Sequence, residues 1–157
     1  FDGQKVSKSR IITSVDYSMV SMEAFEIYAA NHDIHVMDFV LKLDAYSYYM
    51  MNLLDYLIGN TDRHWGNWGF LVDNRTNQPV RLFDLMDLNQ TFLAYDTPDG
   101  ANCMTTGNRK MSQREAAVEA VKNIGLNQKD EIKDEWFKGR EKEREMFWCR
   151  FGILKEQ

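Results

Sequence analysis

The chain has 157 residues, a formal charge of −5 and an aromatic share of 13%. That length suits one domain able to bury roughly 68–70% of the surface its unfolded form exposes, and the acidic balance argues against direct gripping of nucleic-acid phosphates. Two distant cysteines, Cys103 and Cys149, make neither a disulfide framework nor a zinc site and point to a reduced, cytoplasmic compartment; no apolar run reaches the ~18 residues of a membrane span, and the start resembles no signal peptide.

Residues 1–16, including "VSKSRIITSV", read as a short strand or an extended lead-in. From Ser18, "SMVSMEAFEIYAA" places Met22, Phe25, Tyr28 and Ala29 on one helical face, and "NHD" breaks it. The most periodic segment follows. Val36, Phe39, Val40, Leu43, Ser47, Met50, Met51, Leu54, Leu57 and Ile58 recur at helical steps, predicting one long helix or two with a break near Asp44. Gly59 stands where a helix terminator with positive φ belongs.

Trp68–Val72 reads as a strand, Asp73–Pro79 as turn chemistry and Val80–Asp84 as the returning strand. Residues 94–111 lack a period and are expected to form a long loop. Ser112 and Glu115 match a capping box, predicting a helix to about Asn123 that Gly125 ends. The charged remainder reads as two helices divided near Gly139, with Ile132, Trp136 and Phe137 on an apolar face and "REKERE" on a solvated one.

The stretch "GNTDRHWGNWGF", Gly59 to Phe70, concentrates polar and turn-forming residues between the long helix and the hairpin. In simple register about a turn centred on Thr76, Asp84 returns beside Trp68 and next to Asn67, because both lie eight residues from that centre. Asp62 sits at the mouth of the same loop. Two carboxylates and a carboxamide converging there suit a magnesium–polyphosphate site, since magnesium takes oxygen ligands from one or two carboxylates plus phosphates, and the bound metal inverts the local charge. Protein kinases separate an aspartate from a metal-binding asparagine by four residues and add a second metal-binding aspartate further on. Asp62 and Asn67 have that spacing, and Asp84 in "RLFDLMD" stands where the second aspartate would. The order differs: Asp62-Arg63-His64 replaces His-Arg-Asp, and there is no Asp-Phe-Gly.

"DYLIGNTDRHWGNWGFLVD" followed by "VRLFDL" resembles the C-terminal lobe of HipA-like serine/threonine kinases, and its "DRHxxN" core also resembles the phosphoinositide-kinase group. The match covers about Asp55 to Phe92. The resemblance implies a mostly α fold with a small antiparallel β-hairpin, a protein-kinase-like C-terminal lobe, occupying 1–157 as one domain. It implies ATP and Mg2+ as cofactors and a protein Ser/Thr hydroxyl as acceptor. Asp62 would orient or deprotonate that hydroxyl, Asn67 and Asp84 would hold magnesium, and His64 would support the loop, with Asp87 as the alternative to Asp84 if the register is off.

The smaller lobe that supplies a phosphate-covering loop and a lysine in that family has no counterpart before Ser18; Lys5 and Lys8 fit its last strand, but nothing fixes their role. The chain, which begins with Phe1, is therefore expected to be a C-terminal lobe cut from a longer kinase or one that has lost its other half, inactive alone, with an apolar lobe interface prone to self-association.

Plainer readings stand beside these. Gly, Asn and Asp at a helix-to-strand junction are turn residues first. His64 equally fits a loop brace, and Trp65 and Trp68 fit packing better than nucleotide stacking. Two rivals remain: a degenerate kinase-like module that docks a partner, such as an antitoxin-like protein in a toxin–antitoxin or phage system, and a metal-dependent phosphohydrolase using the same carboxylates.

Overall fold

The computed structural model describes residues 11–93, 97–126 and 131–157. Its elements run β1 (Tyr17–Ser21), α1 (Met22–Asn31), α2 (Val36–Leu57), β2 (Gly69–Asp73), β3 (Gln78–Leu82), α3 (Gln113–Ile124), a short 3-10 turn (Asp134–Phe137) and α4 (Glu141–Lys155). It is a mostly helical fold around a small antiparallel sheet of order β1-β2-β3.

The sheet has three strands where the sequence pattern suggests two. Residues 18–21, expected to open the first helix, instead extend as β1 and pair with β2, Ser18 opposite Val72 and Ser21 opposite Gly69. The helix starts at Met22 because the Ser21 hydroxyl accepts the Ala24 amide at 3.2 Å. Met22, Phe25 and Ala29 are buried as expected, while Tyr28 is 51% exposed. Of the expected lead-in strand, residues 1–10, with Lys5 and Lys8, lie outside the described residues, and 11–16 carry no regular structure.

The long helix breaks where its pattern does. Asp44 leaves helical geometry at φ −156°, ψ 66°. One oxygen of its carboxylate caps the second half-helix by accepting the Ser47 amide at 3.2 Å, and the other accepts the Leu82 amide at 3.0 Å. The kink thereby holds the end of β3. At the far end of α2, Gly59 adopts φ 59°. The Gly59 amide bonds the Tyr56 carbonyl and the Asn60 amide bonds the Asp55 carbonyl, at 3.2 and 2.9 Å. These are the two bonds of a Schellman ending, which turns the chain into the loop at a defined angle.

The hairpin keeps the expected register at its open end, Phe70 opposite Leu82 and Leu71 opposite Arg81, with a bulge between Leu71 and Val72 on the turn side. β3 ends at Leu82, so Asp84 lies just beyond it. Phe25, Phe39 and Phe70 form the aromatic junction between α1, α2 and the central strand, with ring centroids 4.7–5.7 Å apart. Alanines 116, 117 and 120 are buried on α3.

The Ser112–Glu115 capping box is present and Gly125 ends α3 at φ 73°. Loop 94–111 carries one isolated bridge, Asn102 with Ser112, among its described residues. The first of the two C-terminal helices is only the four-residue 3-10 turn within the described residues, with Trp136 61% exposed, and α4 follows Gly139 as expected. No helix among the described residues is long and apolar enough to cross a membrane.

Candidate functional site

The loop from Gly59 to Trp68 is held from four directions. The first two amides of α1 have no partner within their own helix; Met22 donates to the Trp68 carbonyl at 2.8 Å and Glu23 to the Trp65 carbonyl at 3.1 Å. Gly66 lies tight against His64: a Cβ there would meet the ring at 2.9 Å. Trp65 donates its indole N–H to the Met104 carbonyl at 2.7 Å, tying the loop to the long segment before α3. Trp68 is 4% exposed, and both tryptophans act as packing residues, their rings meeting edge to face at 6.5 Å.

The fourth hold is Arg63, which is buried together with Asp55 of α2. Its Nε and Nη2 donate to the two oxygens of Asp55 at 2.8 and 3.1 Å. Its Nη1 donates to the carbonyls of Asn67 and Met86 at 2.9 and 2.8 Å. Asp55 also accepts from Asn60 Nδ2 at 2.9 Å, and Gln113 at the start of α3 donates to the Asn60 carbonyl. The α2 terminus, the loop, the segment that follows β3 and the start of α3 therefore share one buried polar network. The sequence pattern did not single out Asp55 or Arg63. The available signal was an aspartate inside the apolar run "LLDYL", which needs a buried partner, with an arginine eight residues later.

Arg63 points inward while its neighbours point out. The Asp62 side chain is 43% and the His64 side chain 54% exposed. Gly66 donates its amide to His64 Nδ1 at 3.0 Å, so in the neutral ring the proton sits on Nε2. That nitrogen lies 3.9 Å from Asp62 Oδ1, and His64 braces the loop and faces the candidate base.

Asn67 is 4% exposed. Its Nδ2 donates to the Asp62 carbonyl, a bond only the amide nitrogen can make, so the orientation of the group is fixed. The other end, Oδ1, is buried and has no hydrogen-bond partner. A buried acceptor left unpaired costs about 1–3 kcal/mol. A hard cation with oxygen preference is the chemistry that such a carbonyl oxygen suits.

The structure thus ties the Asn67 side chain to the Asp62 backbone carbonyl, while the Asp62 carboxylate lies at the loop surface facing His64. Asp84 stays apart: its carboxylate pairs with Arg81 at 2.6 Å and is 51% exposed. No bond links it to Asp62 or Asn67. The backbone does carry it to the expected end of the hairpin, since Phe83 donates to the Gly69 carbonyl at 2.8 Å. Asp87, the alternative, is exposed in the irregular segment after β3 and has a left-handed φ of 53°. Among the described residues no group of three or more His, Cys, Asp or Glu side chains converges.

Burial pushes the Cys103 thiol above its ordinary pKa, and the thiolate, not the thiol, is the nucleophile. Beside the loop, a cleft of about 440 Å³ is bounded by Trp65, Tyr48, Met37, Glu26, Arg109 and Glu119. Burial lifts the Tyr48 phenol to about 12, so it stays protonated. Comparison with protein-family models, curated proteins and solved structures finds no match.

Proposed function

We propose that this chain is the catalytic lobe for ATP- and magnesium-dependent phosphoryl transfer to a protein Ser/Thr hydroxyl, in the manner of the HipA-like kinases it resembles. The observation that carries the reading is Asn67: its amide nitrogen is spent on the Asp62 carbonyl and its buried oxygen is left without a donor. One residue thereby joins a candidate base to a candidate metal ligand. Asn67 and Asp84 would hold the metal, which when bound would neutralise phosphate charge.

Asp62, exposed at the loop surface, would accept or orient the hydroxyl of the incoming protein. His64 Nε2–H, 3.9 Å from that carboxylate, would reach hydrogen-bond distance only after a rotation of either exposed side chain. Asp84 must exchange its Arg81 partner for the metal; an exposed ion pair of this kind is worth only about 0–1 kcal/mol, so the exchange is cheap. Catalysis on this reading is positioning and charge stabilisation, with no covalent nucleophile required. Tyr46 and Met50, one turn apart on α2, and Val80, Leu85 and Leu88 near β3 are large apolar residues exposed by 37–58%. They suit contact with a second lobe that supplies the rest of a nucleotide site.

The Asp84–Arg81 pair favours a second reading, a degenerate kinase-like module that binds a partner protein such as an antitoxin. The phosphohydrolase ranks below both, because such enzymes gather more His and Asp ligands than converge among the described residues. Calorimetry with ATP and Mg2+ separates the first two. We expect metal-dependent nucleotide binding that Asn67→Ala and Asp84→Ala each weaken tenfold or more. Absence of such binding, with a kinase small lobe supplied, refutes the kinase reading.

A further inference from the structure

We propose that Arg63, held by Asp55, is a positioning residue that sets the separation between the Asn67 and Asp84 arms of the site. The inference rests on the kinase-like reading above. Asn67 and Asp84 lie just outside the last backbone bond of the hairpin, Phe83 to the Gly69 carbonyl at 2.8 Å, and β3 itself ends two residues before Asp84. Beyond that bond, one nitrogen links the two segments. Arg63 Nη1 donates to the Asn67 carbonyl at 2.9 Å and to the Met86 carbonyl at 2.8 Å. The two carbonyl oxygens can be no further apart than those two bonds laid end to end. Asn67 is itself a proposed ligand, and Met86 follows Asp84 by two residues.

Stability alone does not account for the choice of residue. A buried ion pair is often replaceable by apolar side chains of similar volume with no loss, since desolvation offsets the attraction. What an apolar pair cannot supply is the fork. The guanidinium spends Nε and Nη2 on Asp55, which fixes its plane, and this leaves both Nη1 hydrogens aimed at the two carbonyls. Lysine offers a point charge on a flexible stem and cannot hold two such directions at once. Because Asp55 and Arg63 are only 3–4% exposed, water does not substitute for the fork. The flanking side chains of Asp62 and His64 then project to the opposite, solvent side. Outer-shell groups of this kind typically change metal affinity 10–100-fold when lost.

The test measures Mn2+ affinity by electron paramagnetic resonance, with thermal midpoints recorded alongside, for the parent, Arg63→Lys and the charge-free double variant Asp55→Leu/Arg63→Met. The expected result is a parent that binds Mn2+ and folded variants that bind it 10–100-fold more weakly. The double variant carries the test if Arg63→Lys does not fold. Folded variants with parental affinity overturn the positioning role and leave the kinase reading standing. A parent that takes up no Mn2+ even with ATP and a kinase small lobe supplied overturns the kinase reading and the role built on it. Loss of fold in both variants makes Arg63 a stability residue and likewise overturns the proposal.

Discussion

Gly69 sits where β1 crosses β2 beside the loop, and replacing it by alanine tests whether that crossing exists. A Cβ on Gly69 would lie 2.1 Å from the Val20 carbonyl oxygen and 2.8 Å from the Ser21 Cα. Both are backbone atoms, so no side-chain rotation relieves the contact. The strands must part by about 1 Å for an ordinary carbon–oxygen separation, which strains the Ser21–Gly69 pairing and the Met22 amide bond to the Trp68 carbonyl. Overpacking of this kind costs about 1–3 kcal/mol. The smaller flexibility of unfolded alanine returns about 0.4–1 kcal/mol. Mid-range values give a net loss of about 1.3 kcal/mol, which corresponds to a fall of roughly 3–5 °C in the thermal midpoint for a chain of this size. Gly152, inside α4 with no atom within 4 Å of its would-be Cβ, is the control; there the same change should stabilise by about 0.5–1 kcal/mol. Calorimetric melts of the two variants should move in opposite directions. Parental stability in Gly69→Ala would mean that β1 does not lie against β2, and residues 18–21 would revert to the helix their spacing suggests.

Asp44→Ala removes the cap of the second half of α2 and the acceptor for the Leu82 amide. Urea denaturation should show a loss of about 1–2 kcal/mol, and a neutral result would place the kink elsewhere. Arg81→Gln frees the Asp84 carboxylate; divalent-ion affinity should rise by up to about fivefold, the worth of an exposed pair, and a decrease would show that Arg81 assists binding. Glu115 has its carboxyl held below the ordinary range, first by the Ser112 amide and then by the Ser112 hydroxyl. A lowered folded pKa gives stability that is full above the unfolded value and lost as pH falls through the folded one. Glu115→Gln should therefore lower the urea midpoint at neutral pH and cease to differ once the pH is below that depressed value; an effect that persists in acid would assign the stability to packing.

Local signals carried far. The helical spacing of α2, its break at Asp44, the terminator at Gly59 and the Ser112–Glu115 box each depend on residues within a turn or two of one another, and each stands in the structure. The hairpin register at its open end followed from counting residues about a turn. β1 was missed because Met19 and Val20 fit a helical pattern as well as an alternating one; the decision comes from pairing with Leu71 and Phe70, about fifty residues away. At the site, loop spacing pointed to the Asp62 and Asn67 side chains; the structure links Asn67 Nδ2 to the Asp62 backbone carbonyl and leaves the Asp62 carboxylate at the surface. The sequence pattern could not show that Asp84 turns to Arg81, a pairing of two largely exposed side chains that burial does not dictate. Nor did periodicity show Asp55 and Arg63, since a buried pair is recognised only when both partners are seen to lose water.

The central claim is that one divalent cation is shared by Asn67 and Asp84 beside Asp62. Mn2+ titration followed by NMR tests it most directly, through paramagnetic broadening of the Asn67 side-chain amide and of the backbone amides of Asp62 and Asp84. The account predicts that all three signals broaden together at the same ion concentration and that Asn67→Ala abolishes the effect at Asp84. Broadening of Asp84 alone, with Asn67 and Asp62 untouched at saturation, would contradict it.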